Sequence, residues 1–491
     1  LLSGSSWEPI SREIERAIPV SAEDLRISLE HGGFVYARDD KIFVRTLESV
    51  EIELARLIRE HVREAPNQSL QSSSLSEEQQ RAVDTAAQYS LTVCTGGPGV
   101  GKTHTIKAII EQSEHPILLC APTGKAAKRI TEQTGLPART IHSALAAAVD
   151  FETGETKPLD YATIIVDEFS MVDLPLAHRL FAQLAPDTRV VICGDANQLP
   201  SIGPGSVLRD LIESGTVPTT ELTKIFRQAS ESPIPWASRE ILAGEVPSFQ
   251  DRGNGIAFAE MESAENAADL LVQLATVGML GPNDRGRRAF AFNEVQVLTP
   301  QNKGPLGASK LNGQIQEIVN PGAGGIWIGD GGQARVNDRV IHTKNNKVLG
   351  VFNGEVGTVI GAGQISAGQV PRHKPSNLDR PNAPKSFVLV VDYGEKLVAY
   401  AKEDARELRL AYALTIHKFQ GSQCPCILLP VHSAHSYMLS RALIYTAVTR
   451  ASEFVGIVGD SKGLRSAVST VKGNDRRTLL QEALREPTAT P

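Results

Sequence analysis

Residues 95–105 read TGGPGVGKTHT, four glycines and a proline running into a lysine and a threonine. A run this poor in side chains contributes little to packing, so its backbone is what matters. SLTVC (90–94) just before it is β-prone, and TIKAIIEQ (105–112) just after it spaces its apolar residues as a helix does. Strand, Gly-rich loop, helix is the context of a phosphate-binding loop. Gly96, Gly101, Lys102 and Thr103 fit G-x-x-x-x-G-K-[ST] without a mismatch. Residues Gly97, Pro98, Gly99, Val100, Gly101, Lys102, Thr103 and His104 are therefore expected around the phosphates of a nucleoside triphosphate. Backbone N–H groups and the helix N-terminus supply the positive field, Lys102 reaches the β/γ-phosphates, and the Thr103 hydroxyl holds Mg²⁺.

At 491 residues the chain predicts two to four domains of ~100–200 residues each. An apolar content of 41% with 22% charged residues is that of a soluble globular protein. No stretch approaches the ~18 apolar residues of a membrane span and no signal peptide opens the chain, which predicts a cytoplasmic protein with no membrane partner. The chain opens LLSGSSWEP, without an initiator methionine, so an upstream segment is expected. Five cysteines, three of them in apolar runs, point to reduced thiols rather than a disulfide framework. A net charge of −6 excludes a globally basic nucleic-acid binder and leaves only local patches for that purpose. Cys424 and Cys426 form a CPC pair that no second pair completes as a zinc site, and His432 and His435 are expected to be structural.

Downstream, TIIVDE (163–168) is an apolar strand-like run ending in two carboxylates. Asp167 is expected to hold Mg²⁺ and Glu168 to orient or deprotonate the attacking water. A third run, RVVICGD (189–195), continues into ANQLP and brings Gln198 to the same edge. Open α/β sheets bind ligands at the carboxyl ends of their strands, so the three sites should converge on a phosphate-hydrolysing centre. Neither the acceptor site of a small-molecule kinase nor the NKxD loop of a switch GTPase stands out.

The remaining punctuation is APTGKAAKR (121–129), TIHSAL (140–145), KIFRQ (224–228), LAYALTIHKFQGSQ (410–423) and LIYTAVTRAS (443–452). With GGPGVGKT, DEFSM and GDANQLP these resemble, in order, the motifs of superfamily 1 helicases. The resemblance is to the RecD-like, 5′→3′ branch, and within it to the stand-alone bacterial form, over about residues 75–460. It implies an ATP- and Mg²⁺-dependent DNA helicase or translocase used in repair or recombination. Its fold would be α/β: two RecA-like P-loop motor domains with ATP between them, a small N-terminal winged-helix-like unit, a β-hairpin pin and an inserted SH3-like β-barrel. Single-stranded DNA and single/double-strand junctions would be its partners.

The same resemblance implies that Arg227 and Arg450 act as arginine fingers at the γ-phosphate, each delivered by the second motor domain. Gly421 would lie at the nucleotide, and Gln79 of LSEEQQ (75–80) would pair with adenine. On pattern alone Ser76 and Gln79 also make a capping box, and both readings can hold. Pro122, Thr123, Lys125 and His142 of the first motor, and Thr415, His417 and Lys418 of the second, would face the DNA; phosphate contacts of this kind are sequence-independent. Phe419 and Gln423 depart from the family's small residue and glutamate, and Phe419 is expected to pack inward.

Around the motor, residues 1–64 read as helix–helix–wing–helix, with a hairpin signal in FVYARDDKIFVRT (34–46). Residues 65–74 form a polar linker, and 75–222 the first motor with a pin at about 147–160. The second motor is expected at 223–331 and 406–491, interrupted by the barrel at 332–405, where short strand-like runs recur. The N-terminal unit or the barrel could also dock a protein partner. Two readings stay open beside the helicase: a subunit inactive without partner chains, and a nucleotide-switched scaffold that unwinds nothing.

Overall fold

Continuous apolar runs, not alternating ones, form strands buried on both faces, and such strands belong to parallel sheets covered by helices. The computed structural model obeys this rule. It describes residues 5–6, 35–38, 41–65, 74–149, 155–226, 232–249, 255–277, 290–322, 324–346, 348–366, 370, 374–377, 386–471, 476 and 478–486. The chain divides into two compact units, residues 1–229 with 472–491, and residues 230–471.

The first unit holds six parallel strands: β1 (Leu91–Gly96), β2 (Ile117–Ala121), β3 (Ala138–Thr140), β4 (Thr163–Val166), β5 (Arg189–Gly194) and β6 (Thr219–Leu222), in the order β3-β2-β4-β5-β1-β6. In β1 and β4 every residue is buried. Helices α1 (Arg45–His61), α2 (Glu77–Gln88), α3 (Lys102–Gln112), α4 (Gly124–Thr134), α5 (Ile141–Ala147), α6 (Leu174–Phe181) and α7 (Val207–Ser214) accompany the sheet. Their ends are set locally. Ser76, Thr123, Thr140 and Asp173 each accept a backbone N–H as N-cap, and Gly135 and Gly215 close α4 and α7 in the left-handed conformation. The order β4-β5-β1 places the ends of TIIV, RVVICG and LTVCTG side by side.

The second unit carries α8 (Pro233–Ala243), β7 (Ile256–Glu260), α9 (Ala264–Val277), β8 (Val295–Thr299) and α10 (Ala308–Val319). Next comes an antiparallel sheet, β9 (Arg339–His342), β10 (Val356–Ser366), β11 (Ser386–Asp392), β12 (Leu397–Tyr400) and β13 (Leu408–Leu410), in the order β12-β11-β10-β9-β13. The chain then enters β14 (Ala413–Thr415), β15 (Cys424–Val431), α11 (Arg441–Val448), β16 (Ala451–Gly459) and α12 (Ser461–Ser469). Strands β7-β16-β15-β8-β14 form the second parallel sheet.

Several expectations are corrected. ESVEIELARLIREHV is not the last helix of a separate N-terminal unit. As α1 it buries Leu54, Ala55 and Ile58 in one cluster with Leu118, Ile164 and Phe181 of the first sheet layer. The hairpin signal just before it does form, with Val35–Arg38 pairing antiparallel to Lys41–Val44; the two expected helices at 10–32 lie outside the described residues, as does nearly all of the linker. The C-terminal end, expected in the second unit, belongs to the first, where α13 (Leu480–Arg485) packs Leu480 and Leu484 into the same cluster. The inserted sheet runs past residue 405 to include β13. At the expected pin, Val149 bridges Thr156 in antiparallel fashion and the Lys157 N–H donates to the Ala148 carbonyl (2.8 Å), while the tip lies outside the described residues.

The C-terminal return is held by two buried carboxyls. Glu51 of α1, 3% exposed, accepts the Leu479 N–H (3.2 Å), and Asp210 of α7, 4% exposed, accepts from the Thr478 hydroxyl. Burial pushes both up to about 7, with the backbone hydrogen bond from Leu479 and the hydroxyl of Thr478 opposing it, respectively. Acids whose pKa is raised on folding stabilise fully below their unfolded pKa and lose that contribution as pH rises towards the folded value. The expected outcome is a lower denaturation midpoint at pH 8 than at pH 5. Glu51→Gln should flatten this trend in part and raise stability at pH 8 by up to about 3 kcal/mol, since one pKa unit is worth about 1.4 kcal/mol. Equal pH trends in variant and parent would contradict the assignment.

Candidate functional site

The phosphate loop spans the end of β1 and the start of α3. Gly99 (φ 74°) and Gly101 (φ 81°) are left-handed, a conformation that costs an L-residue about 1 kcal/mol or more. Gly101 is required on a second ground: a Cβ there would collide with Gln79 Nε2 and lie 3.1 Å from the Phe226 ring. Val100 is buried, His104 is exposed, and Lys102 folds back so that its ammonium donates to the carbonyls of Gly96 and Gly97, the latter at 2.8 Å. The Thr103 hydroxyl donates to Gln133 Oε1 (3.3 Å).

Gln79 forms the capping box: its Oε1 accepts the Ser76 N–H (3.0 Å), and the Ser76 hydroxyl accepts the Gln79 N–H (3.3 Å). It is 1% exposed, and its Nε2 donates to the Gly101 carbonyl (3.4 Å). The amide thus ties the N-terminus of α2 to the loop. The neighbouring Glu78 was not singled out by sequence reasoning, yet its carboxylate accepts the N–H groups of Thr223 (2.7 Å) and Lys224 (3.0 Å) and the Thr223 hydroxyl (2.6 Å). The Phe226 N–H then donates to the Gly99 carbonyl (3.3 Å). This corrects the expected boundary at residue 223. The segment leading to Arg227 belongs to the first unit and runs onto the phosphate loop; Arg227 itself lies outside the described residues.

Asp167 comes directly after β4, its N–H donating to the Cys120 carbonyl (2.9 Å). Burial and the adjacent Glu168 charge push its carboxyl up to about 6, against the pull of Lys102 and Arg129. Glu168 has left-handed backbone (φ 53°) and lies 3.8 Å from Arg129 of α4, a second partner that sequence reasoning missed. Non-glycine residues in this region store strain and concentrate at functional sites. Asp195, 1% exposed at the end of β5, accepts Gln198 Nε2 (3.2 Å) and the Asn197 N–H (3.0 Å), so Gln198 is held at the same sheet edge.

Magnesium needs one or two protein oxygens and takes the rest from water and phosphate. A hydroxyl at Thr103 and a crowded carboxylate at Asp167 suit that donor set. Among the described residues no three His, Cys, Asp or Glu side chains gather as a dedicated metal cage. Asp167, destabilised as an anion by its surroundings, is the group that a divalent cation would relieve.

The other expected positions fall into two sets. Pro122 and Thr123 precede α4, where the Thr123 hydroxyl accepts the Ala126 N–H (3.3 Å); Lys125 lies in the first turn and His142 is exposed on α5. In the second unit Thr415 ends β14 and His417 and Lys418 lie in the turn that follows, where the Thr415 hydroxyl accepts the Lys418 N–H (3.4 Å). Phe419 is buried, as expected for packing, and Gly421 is left-handed (φ 71°). Arg450 is 2% exposed beyond α11; its Nε donates to the Thr446 carbonyl (3.3 Å), and its own carbonyl accepts the Cys424 N–H (3.0 Å). His432 bonds the Glu262 carbonyl (3.0 Å) and the Ala434 N–H (3.0 Å), a structural role.

Residues 74–260 match the model of an AAA domain, and residues 410–458 that of the UvrD-like helicase C-terminal domain. The chain is 36% identical to the ATP-dependent RecD2 DNA helicase of Deinococcus radiodurans over 84% of its own length and 52% of that protein's. It is 30% identical to the RecBCD enzyme subunit RecD of Mycolicibacterium smegmatis, over 83% of this chain and 75% of the relative. Among solved structures, that of two coordinating Pif1 helicases at forked double-stranded DNA aligns over 79% of this chain and 92% of its own, with a TM-score of 0.46 and 21% identity. The chain therefore spans about half the length of the Deinococcus relative.

Gly101→Ala tests the loop. Strain at a positive φ and the collision with Gln79 should weaken binding of a fluorescent ADP analogue at least about tenfold, with a stability loss of only about 1–2 kcal/mol. Unchanged nucleotide affinity would show that the loop does not hold phosphates in this conformation.

Proposed function

The chain belongs to the RecD-type helicase family, and from that membership we propose that it is an ATP- and Mg²⁺-dependent DNA helicase or translocase moving 5′→3′ along single-stranded DNA. The observation that carries this reading is the convergence of Lys102, Thr103, Asp167, Glu168 and Gln198 at one end of one buried parallel sheet. In it, Lys102 leaves the Gly96 and Gly97 carbonyls for the β/γ-phosphates, and loop N–H groups with the α3 N-terminus hold the remaining oxygens. Thr103 and Asp167 would hold the cation, which when bound would neutralise phosphate charge. Glu168, kept in place by backbone strain and Arg129, orients the attacking water and accepts its proton. Gln198, fixed by Asp195, reports the state of the phosphate to the adjoining loop.

Arg227 and Arg450 are the proposed γ-phosphate arginines, with Gln79 and Gly421 the proposed contacts to the rest of the nucleotide. The capping box and the bond to the Gly101 carbonyl leave Gln79 one N–H and one acceptor lone pair, which is the pair that an adenine edge requires. Pro122, Thr123, Lys125 and His142 on one unit, and Thr415, His417 and Lys418 on the other, are the proposed contacts to the strand. We assign the hairpin at 147–160 as a strand-separating pin and the sheet spanning 339–410 as a small SH3-like barrel that guides DNA. Use in repair or recombination, inside the cytoplasm, is part of the same proposal and is supported by family membership.

One observation favours a second reading. A RecBCD subunit stands among the relatives, so partner chains could be needed for unwinding while ATP turnover is retained.

Strand displacement on duplexes with a 5′ or a 3′ single-stranded tail decides between them. Release from the 5′-tailed duplex alone is expected. ATP hydrolysis stimulated by single strands without release would support the partner-dependent reading, and hydrolysis indifferent to single strands would leave a nucleotide-switched scaffold. Lys102→Ala should abolish turnover, and Glu168→Gln should lower it by about 10²–10⁴ while leaving nucleotide binding intact.

A further inference from the structure

Beside the turn that carries Thr415 and Lys418 lies a cavity in the second unit, whose polar lining includes Asn302, Ser309, Asp330 and Arg409. Asp330 sits at the tip of the turn Gly329–Gly331, between the short strands Ile326–Trp327 and Gln333–Ala334. Its backbone is left-handed (φ 57°, ψ 24°), and its side chain is 61% exposed. The carboxylate meets Arg409 Nε at 2.5 Å. Arg409 reaches it from β13, held there by donation from Nη1 to the carbonyls of Arg406 (2.7 Å) and Leu408 (2.8 Å). Only a glycine permits this approach, since a Cβ at residue 329 would overlap Arg409 Nη1.

Lys418 feels both groups, repelled by Arg409 and attracted by Asp330, and is partly withdrawn from water. Its ammonium makes no hydrogen bond to a described residue. Two cations therefore share one carboxylate, and that carboxylate is the least firmly held of the three: exposed, on a strained residue, in a turn of glycines. An exposed ion pair contributes only about 0–1 kcal/mol, so little is lost when its anion is exchanged for another. A phosphodiester offers the same oxyanion geometry to a guanidinium, with greater charge density.

We propose that Arg409, Lys418 and Thr415 form one phosphodiester subsite for the tracked strand, and that Asp330 fills this subsite when no nucleic acid is bound. The proposal rests on the helicase reading and adds two residues to it: Arg409 as a strand contact, and Asp330 as an internal competitor that weakens the grip on each phosphate passing through. A translocating motor has to release every phosphate that it binds, and a tethered anion poised to return to Arg409 promotes that release.

Anisotropy of a fluorescein-labelled oligothymidylate, titrated with the full chain without nucleotide over a range of salt concentrations, tests it. Asp330→Asn should tighten binding about 3–10-fold at low salt and steepen the log–log salt slope by ~0.7, the value for one further phosphate neutralised on a single strand. Arg409→Gln should weaken binding and make the slope shallower. In the Arg409→Gln background, Asp330→Asn should have no effect. Persistence of the gain in that background would reduce it to a diffuse charge effect and overturn the proposal, as would an Asp330→Asn variant with unaltered affinity and slope. Binding of fluorescent ADP should be the same in all variants; a change confined to ADP would assign the pair to the nucleotide and also overturn it. If the parent chain does not bind oligothymidylate at all, the helicase reading fails, and the subsite with it.

Discussion

A parallel sheet buried on both faces can present its chemistry only at its ends. Apart from Arg189 at the start of β5, every side chain along β1, β4 and β5 is buried, so on the proposed reading phosphate, cation and water are left to residues just beyond the last buried position of each strand. In β1 that is a loop of glycines, in β4 the pair Asp167–Glu168, and in β5 the pair Asp195–Gln198. The strand order β4-β5-β1 brings these three ends together although about 70 residues separate the first two in sequence. Polar groups concentrated at so small an edge raise one another's energy. Asp167 is the clearest case, lifted by burial and by the Glu168 charge.

The loops at this edge are braced from behind by α2. Its N-terminal turn supplies Ser76, Glu78 and Gln79: the first and third close the capping box, Gln79 also holds the Gly101 carbonyl, and Glu78 clasps the backbone at Thr223 and Lys224. One helical turn thus fixes both the phosphate loop and the segment that approaches it from the end of β6. This explains why the loop tolerates no Cβ at residue 101: the space is filled by the groups that brace it.

How far the sequence is legible depends on the range of the interactions. The phosphate loop, the carboxylate pair after TIIV and the cap at Ser76 are local, carried by contiguous residues, and each stands where the pattern places it. The hairpin before α1 is local as well. What the pattern does not carry is tertiary partnership. Nothing in ESVEIELARLIREHV distinguishes a helix of a separate domain from one that buries Leu54 and Ile58 against the first sheet, because amphipathic spacing names a buried face but not its neighbour. The return of Leu480 and Leu484 to that cluster is hidden for the same reason. Arg129 and Gln133 lie in a helix that reads as ordinary, and only the fold brings them to Glu168 and Thr103. The assignment of 223–226 to the second unit fails because a carboxylate in α2, 145 residues earlier, holds the backbone.

A common feature joins the polar groups of the proposed nucleotide edge and the proposed strand subsite. Lys102 rests on the carbonyls of Gly96 and Gly97, Thr103 on Gln133, Gln198 on Asp195 and Arg409 on Asp330. On the proposed reading each of these four already has a protein partner, so none of them bears the cost of an unsatisfied charge or donor before the ligand arrives. Binding then exchanges one partner for another, and its free energy is the difference between the two. For Lys102 that difference is large, because a neutral carbonyl gives way to a polyanion. For Arg409 it is small, because one anion gives way to another. On the proposed helicase reading, a loop that grips a triphosphate through hydrolysis and a groove that lets a strand slide need opposite values of this quantity. The choice of internal partner, carbonyl in one place and carboxylate in the other, sets them.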